Sequence, residues 1–383
     1  PFATLIFGDL GADVIKIEPP GGDPIRNYFS TFGTYIHDNP VVDFDNRGKK
    51  SIALDTRTED GQKILRELAS DADVFLTNVR PGGLSRSGLD YASLHAINPK
   101  LVYSTLTGYG LEGPDADKPG FDVASFWSRA GVGQLTVPKG QDPFALRTAF
   151  GDHTTSMAAA AGICAALVQA QRTGEGQLVE ASLLRAALFA LGSDFAIQLF
   201  FGRIGSTKSR HEQIQPLMNF FKTKDESWIC IVSRQGNVDW APLCRVMDRP
   251  DLIEDERYTT GKSRRANAAE LVTVMDEEFG KYTKEEIAKR LDNEAIAWAP
   301  VQTLAEVAKD PQVKAAGGIT QVPSASGDGS SFAAPASPIR FPGTDDGPKG
   351  ASPRKGEHSR DVLASIGYDE EKIKALYDSG VVI

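Results

Sequence analysis

The chain has 383 residues, of which 41% are apolar and 24% charged, and its formal net charge is −9. That length admits two domains, the composition is ordinary for a globular protein, and the acidic balance excludes nucleic acid or an anionic membrane as the main partner. Three scattered cysteines (Cys164, Cys230, Cys244) form no disulfide framework or zinc motif, and five histidines lack metal-ligand spacing, so a reducing, cytoplasmic setting is expected. No apolar run reaches the roughly 18 residues of a membrane span. The chain opens at Pro1 inside a helical pattern, which leads us to expect further residues upstream.

In chain order, residues 1–9 read as a short helix with Pro at its first position, broken by Gly11. Strands are predicted over 13–18, 49–55, 72–78 and 101–107 from short β-branched and apolar runs. Between them, 58–69 has apolar residues at 64, 65 and 68, a helical spacing, and 91–97 is a helix ended by Asn98 and Pro99. Strand alternating with amphipathic helix marks an α/β protein with a parallel sheet. Further on, 177–181 reads as a strand and 182–201 as one long apolar helix. The polar, basic stretch 202–215 reads as a loop or linker. Two strands flank a turn at 224–227, charged helices follow over 238–247, 267–280 and 283–291, and Pro300 makes 297–304 an edge or irregular strand. A capping box is expected from Thr283 and Glu286. The flexible hairpin or loop 324–331 precedes terminal helices over 361–366 and 370–378. The domains expected are a large Rossmann-like one over 1–205, a small α+β one over 210–320, and a segment 325–383 returning to the first.

In parallel sheets ligands gather at the carboxyl ends of strands. Arg26, Arg57, Arg80 and Arg86 follow three of these ends. The planar guanidinium offers two donors at once to a phosphate, so a phosphorylated ligand is one reading; unremarkable surface arginines are the other. Gly108, Gly110 and Gly113 spell a dinucleotide-type glycine pattern after a strand, but Pro114 to Gly120 reads as loop. The pyrophosphate would then meet no helix N-terminus, and a plain glycine turn is expected.

The stretch from Thr148 to Leu167 opens with Gly151 and Asp152 and runs into an Ala-rich helix whose small side chains predict close packing and burial. Asp152, Thr154 and Thr155 suit the N-cap or first turn. The helix dipole would keep a carboxylate there ionised, and partial desolvation would leave it reactive. Asp152 is thus either a nucleophile or a cap.

The segment from Gly8 to Pro24 resembles the opening of the class III CoA-transferases (CaiB/BaiF-like proteins). Arg47 to Asp55, Asn78 to Gly82, Gly108 to Asp122, Gly151–Asp152 with Thr173 to Gln177, and Gly356 to Ser359 with Ile366 to Tyr368 are similar to that family's later blocks, in order. The resemblance implies a Rossmann-like fold with a small domain, an interlocked homodimer, and transfer of CoA from an acyl-CoA to a carboxylic acid. Asp152 would be the nucleophile, acylated to an anhydride and then carrying CoA as a thioester. No tightly bound cofactor is implied, since CoA enters as substrate. The matching CoA-contact positions are Arg26, Leu54 to Arg57, Asn78, Val79, Arg80 and Arg86, and Phe121 matches an aromatic near the pantetheine or acyl group. The family's first strand and the loop after it lie before Pro1, and the glycine-rich lid of some members has no counterpart between Arg203 and Asn219. The racemase branch of the family carries a His where this chain has Phe121, and His153, next to Asp152 on a helix, points about 100° away. An acyl-CoA racemase, an intramolecular isomerase or a non-catalytic CoA-binding protein remain alternatives. Phe126, Trp127 and Arg129 are candidates to line the acyl pocket, with core and surface roles as the other reading.

Overall fold

The computed structural model describes residues 1–27, 39–147, 149–234 and 236–383, so Thr148 lies outside the described residues. They divide into two compact units. One comprises Pro1–Gln134, Phe144–Ile204 and Lys314–Ile383, the other Leu135–Pro143 and Gly205–Val313.

The first unit is a mixed α/β structure with parallel strands. Its elements up to Ile204 include α1 (Phe2–Asp9), β1 (Ile15–Glu18), α2 (Pro40–Asn46), β2 (Lys50–Ala53), α3 (Glu59–Ser70), β3 (Val74–Thr77), α4 (Pro81–Ser87), α5 (Tyr91–Ile97), β4 (Val102–Thr107), α6 (Val132–Leu135), α7 (Phe150–Thr173), β5 (Leu178–Ser182), α8 (Leu183–Ala190) and α9 (Gly192–Phe201), and its last segment adds an antiparallel hairpin of Ile319–Pro323 and Ser331–Pro335 and the helices Ser359–Ser365 and Glu370–Asp378. β1 pairs with β2, and β3, β4 and β5 form a second group in that order, each of these pairings parallel. Thr58 starts α3 by accepting from the Gly61 N–H, and Asp90 starts α5 by accepting from Ser93. Residues 80–86, read from sequence as a turn, contain α4 instead. Pro81 stands at its first position and Gly88, at φ 64°, closes it, which is the usual division of labour between these residues.

The core runs from Ile52 and Leu54 through Ile64, Leu94, Leu101 and Tyr103 to Leu363, Ile373 and Val382 near the C-terminus. The tail is stitched to β2. The Ile383 N–H donates to the Ala53 carbonyl, Leu54 bridges Val382, and Ser359 Oγ accepts from the Ala53 N–H.

Two predicted helices differ in the structure. The apolar run 182–201 is two helices, α8 and α9, bent by 82°. The Ala-rich α7 is buried along one face only, where Ile163 and Ala166 pack beside Val102, while Met157 and Val168 are exposed. No single helix among the described residues is long and apolar enough to cross a membrane.

The second unit carries an antiparallel sheet of Asn219–Lys222, Trp228–Val232 and Ala297–Val301. The last strand, which carries Pro300, lies at the sheet's edge, where a proline is tolerated. Its core gathers Phe221, Ile229, Leu243, Met275 and Phe279, and Thr283 and Glu286 form the expected capping box.

Candidate active site

The site is built at the N-terminus of α7. Ala149 occupies the N-cap in a left-handed conformation, φ 57°, and its methyl group offers no acceptor to the first N–H groups of the helix. Asp122 takes that role from a different segment. Its Oδ2 accepts from the Gly151 N–H at 2.8 Å and from the Asp152 N–H at 3.3 Å. Thr154 and Thr155 do not cap either. Their hydroxyls donate backwards to the carbonyls of Phe150 and Gly151.

Two close approaches bring Asp122 there. The loop after β4 returns so that a Cβ on Gly108 would lie 2.6 Å from the Cα of Gly120, an approach only two glycines permit. Immediately after Asp122, the π-helical turn Val123–Arg129 seats Phe126 against the start of α7. A Cβ on Gly151 would fall 2.4 Å from Phe126 Cγ. Glycine before Asp152 is therefore a packing requirement.

With the helix end already filled, the carboxylate of Asp152 accepts no hydrogen bond and pairs with no cation among the described residues. The helix end was expected to keep this group readily ionised, but the balance runs the other way. Burial pushes its pKa up and the negative charge of Asp122 adds to that, while His153 opposes both. The result is a half-buried carboxylate more basic than usual with both oxygens free.

His153 turns towards other elements. Its ring stacks on Phe2 at 4.1 Å, and its Nε2 lies 3.7 Å from Asp45 Oδ1 on α2.

The predicted CoA contacts divide into two groups. At the ends of β1 and β2, Arg26 is gripped by Glu18, Arg57 by Asp55, and the Leu54 side chain is core. At the end of β3, Asn78 and Val79 are exposed, and Arg80 donates to the Asp117 carbonyl in the loop that leads to Phe121 and Asp122. Arg86 on α4 is exposed, with no hydrogen bond or ion pair among the described residues. Phe121, 73% exposed, stands beside Asp122.

The acyl-pocket candidates fare differently. Phe126 and Trp127 are buried with Leu183 and Ala187, and Arg129 pairs with Asp115 at 3.0 Å. The exposed apolar groups flanking the site are instead Phe121, Val123 and Phe150. Sequence reasoning quoted Asp122 within a block and gave it no role. Only its folded contact with residues 29 and 30 positions away reveals one. No cluster of three potential metal ligands occurs among the described residues.

The model of CoA-transferase family III matches residues 1–359. The chain is 34% identical over 384 residues to (R)-2-hydroxy-4-methylpentanoate CoA-transferase of Clostridioides difficile, covering 100% of this chain and 95% of that protein. It is 33% identical over 388 residues to human succinyl-CoA:glutarate CoA-transferase, covering 100% and 86% respectively. A solved CaiB/BaiF family protein from Brucella suis superposes with a TM-score of 0.83 at 30% identity, over 96% of this chain and 95% of that one.

Proposed function

The chain belongs to CoA-transferase family III and is an enzyme that moves CoA between acyl thioesters and acids; from that premise we propose that Asp152 is the group that carries the exchange. A carboxylate oxygen of Asp152 attacks the thioester carbonyl, the C–S bond breaks, and CoA leaves as thiolate from an acyl-aspartyl anhydride. The thiolate then attacks the aspartyl carbonyl, releasing the first acid and leaving CoA on Asp152 as a thioester. The acceptor carboxylate displaces it to form a second mixed anhydride, and the thiolate returns to the acyl carbonyl of that anhydride to give the new acyl-CoA. Covalent catalysis replaces one difficult displacement, by a weak carboxylate nucleophile, with steps between activated acyl groups.

The observation that carries this reading is that, among the described residues, the carboxylate of Asp152 has no partner at a helix end that another carboxylate already caps. An aspartate needed only for the cap would spend its own oxygens on the helix N–H groups.

CoA enters as substrate, and in this reading Arg86, whose donors are uncommitted, meets one of its phosphates, with Asn78, Val79, Arg80 and Phe121 alongside. Arg26, Leu54 and Arg57 complete the contacts only in part, because Arg26 and Arg57 already hold carboxylates and Leu54 is buried. A homodimer also belongs to this proposal. Phe189, Leu199, Phe200 and Phe201 on α8 and α9 are 67–88% exposed, which is costly unless a second copy covers them.

The test is a mass analysis of the peptide containing Asp152 after reaction with acyl-CoAs and quenching with hydroxylamine. The donor panel runs from succinyl-CoA to cinnamoyl-CoA, donors named for relatives of this chain. A hydroxamate on Asp152 is expected with at least one donor, and Asp152→Asn should abolish exchange while CoA affinity stays within about threefold, under 1 kcal/mol. Measurable CoA binding with no adduct from any donor would remove the nucleophile role.

A further inference from the structure

We propose that Asp122 is a positioning residue for the transfer: by accepting from the Gly151 and Asp152 N–H groups it closes the N-terminus of α7 with a carboxylate other than that of Asp152, and so leaves both Asp152 oxygens open to the thioester carbonyl. This rests on Asp152 being the nucleophile.

Counted from the N-cap Ala149, Asp152 is the third residue of the helix. An acidic side chain at that position ordinarily folds back onto the N-cap N–H. Meanwhile the N–H groups of the second and third residues, here Gly151 and Asp152, ordinarily bond to the N-cap side chain. Ala149 has no such side chain, and Asp152 does not fold back. Both vacancies trace to one substitution of roles, in which Asp122 supplies the acceptor from the loop after β4. The Gly108–Gly120 contact and the wedge of Phe126 under Gly151 hold that loop at the required distance. The arrangement is specific to its geometry, since a cap on the N-cap residue itself would leave no reason for the loop to return here.

The second consequence is electrostatic. The side-chain charges that reach Asp152 are those of Asp122 from the loop, His153 beside it and Asp45 from α2. Of these, Asp122 is the like charge with the strongest effect, and it makes the nucleophile more basic. As the Asp152 oxygen forms its C–O bond and the C–S bond breaks, a more basic carboxylate is the better attacking group, and the proton that must be absent leaves at higher pH.

The deciding experiment follows acylation of Asp152 by the labelling acyl-CoA, without acceptor acid, from low to neutral pH in the wild type and in Asp122→Asn. The amide keeps an acceptor for the two N–H groups and removes the charge. The acid limb of the acylation rate is expected to move to lower pH, because a neighbouring negative charge has been removed, and the plateau to fall about tenfold. Asp122→Ala, which removes the acceptor too, should fall further. Asp122→Ser, with an uncharged acceptor, carries the same two readouts if the amide variant does not fold. An acid limb and plateau both unchanged in a folded Asp122→Asn or Asp122→Ser protein would overturn the proposal while leaving Asp152 as nucleophile. An unlabelled wild type would overturn both readings.

Discussion

Arg26 holds Glu18 through two hydrogen bonds, Nε to Oε2 at 2.7 Å and Nη2 to Oε1 at 2.5 Å, and the Glu18 side chain has no exposure to solvent. An arginine that sequence alone offers to a phosphate is therefore committed first to a carboxylate at the end of β1. Burial pushes the Glu18 carboxyl up, but hydrogen bonds from Arg26 and Ser51 outweigh it and bring it down to about 2.

The sign of the pH effect follows. The folded pKa lies below the ordinary value of 4.5, so the stabilisation is complete above that value and is lost as pH falls towards 2. Glu18→Gln should lower the stability of the unit by about 2 kcal/mol at pH 7, and the gap to wild type should shrink by pH 3. Urea midpoints at the two pH values measure it, and a gap of equal size at both would refute the assignment. Arg26→Ala should weaken CoA binding and stability together.

Arg86 behaves oppositely, because its guanidinium makes no hydrogen bond or ion pair among the described residues. Arg86→Ala should raise the KM for acyl-CoA about tenfold, the worth of one charge-assisted hydrogen bond to a phosphate. The melting temperature should not move. Equal KM values in variant and wild type would take Arg86 out of the CoA site.

Gly151→Ala tests the seat of the proposed nucleophile. Its methyl would stand 2.4 Å from Phe126 Cγ, and the ring is wedged in a core with Trp127 and Leu183, so the helix end must shift. Overpacking of this kind costs about 1–3 kcal/mol. Activity should fall further than stability explains, because the Asp122 contact moves with the helix. A thermal melt alongside the transfer assay separates the two effects, and full activity would mean that the Gly151–Phe126 contact does not position the site.

The exposed end of α9 predicts an assembly. Phe200 and Phe201 pack edge to face against each other at 4.8 Å while both remain open to solvent. Light scattering should report a dimer for the wild type, and Leu199→Glu with Phe200→Glu should dissociate or aggregate it. A monodisperse monomer at micromolar concentration would end the proposal.

Most individual elements were legible in the sequence, and the misses have local causes. Helix α5 and the terminal helix Glu370–Asp378 match their predicted spans, because caps such as Asp90 and Asp369 act on neighbours in the chain. The long helix predicted over 182–201 failed because apolar composition persists through a bend at Leu191, and composition does not register direction. Phe126 and Trp127 stayed undecided between pocket and core for a related reason. An aromatic next to a functional block serves a pocket or a core equally well by type, and here the core takes both.

By itself, the sequence determined the α/β class, the order of the parallel strands and the family, and it offered Asp152 as the candidate nucleophile, since periodicity, caps and ordered motifs are properties of nearby residues. Tertiary structure alone decided what Asp152 is free to do. Among the described residues its carboxylate is unpartnered, because Asp122, distant in the chain, reaches the helix end first, and its basicity is raised by burial and by that same charge. Desolvation and like-charge repulsion depend on separation in space, and no spacing along the chain encodes it.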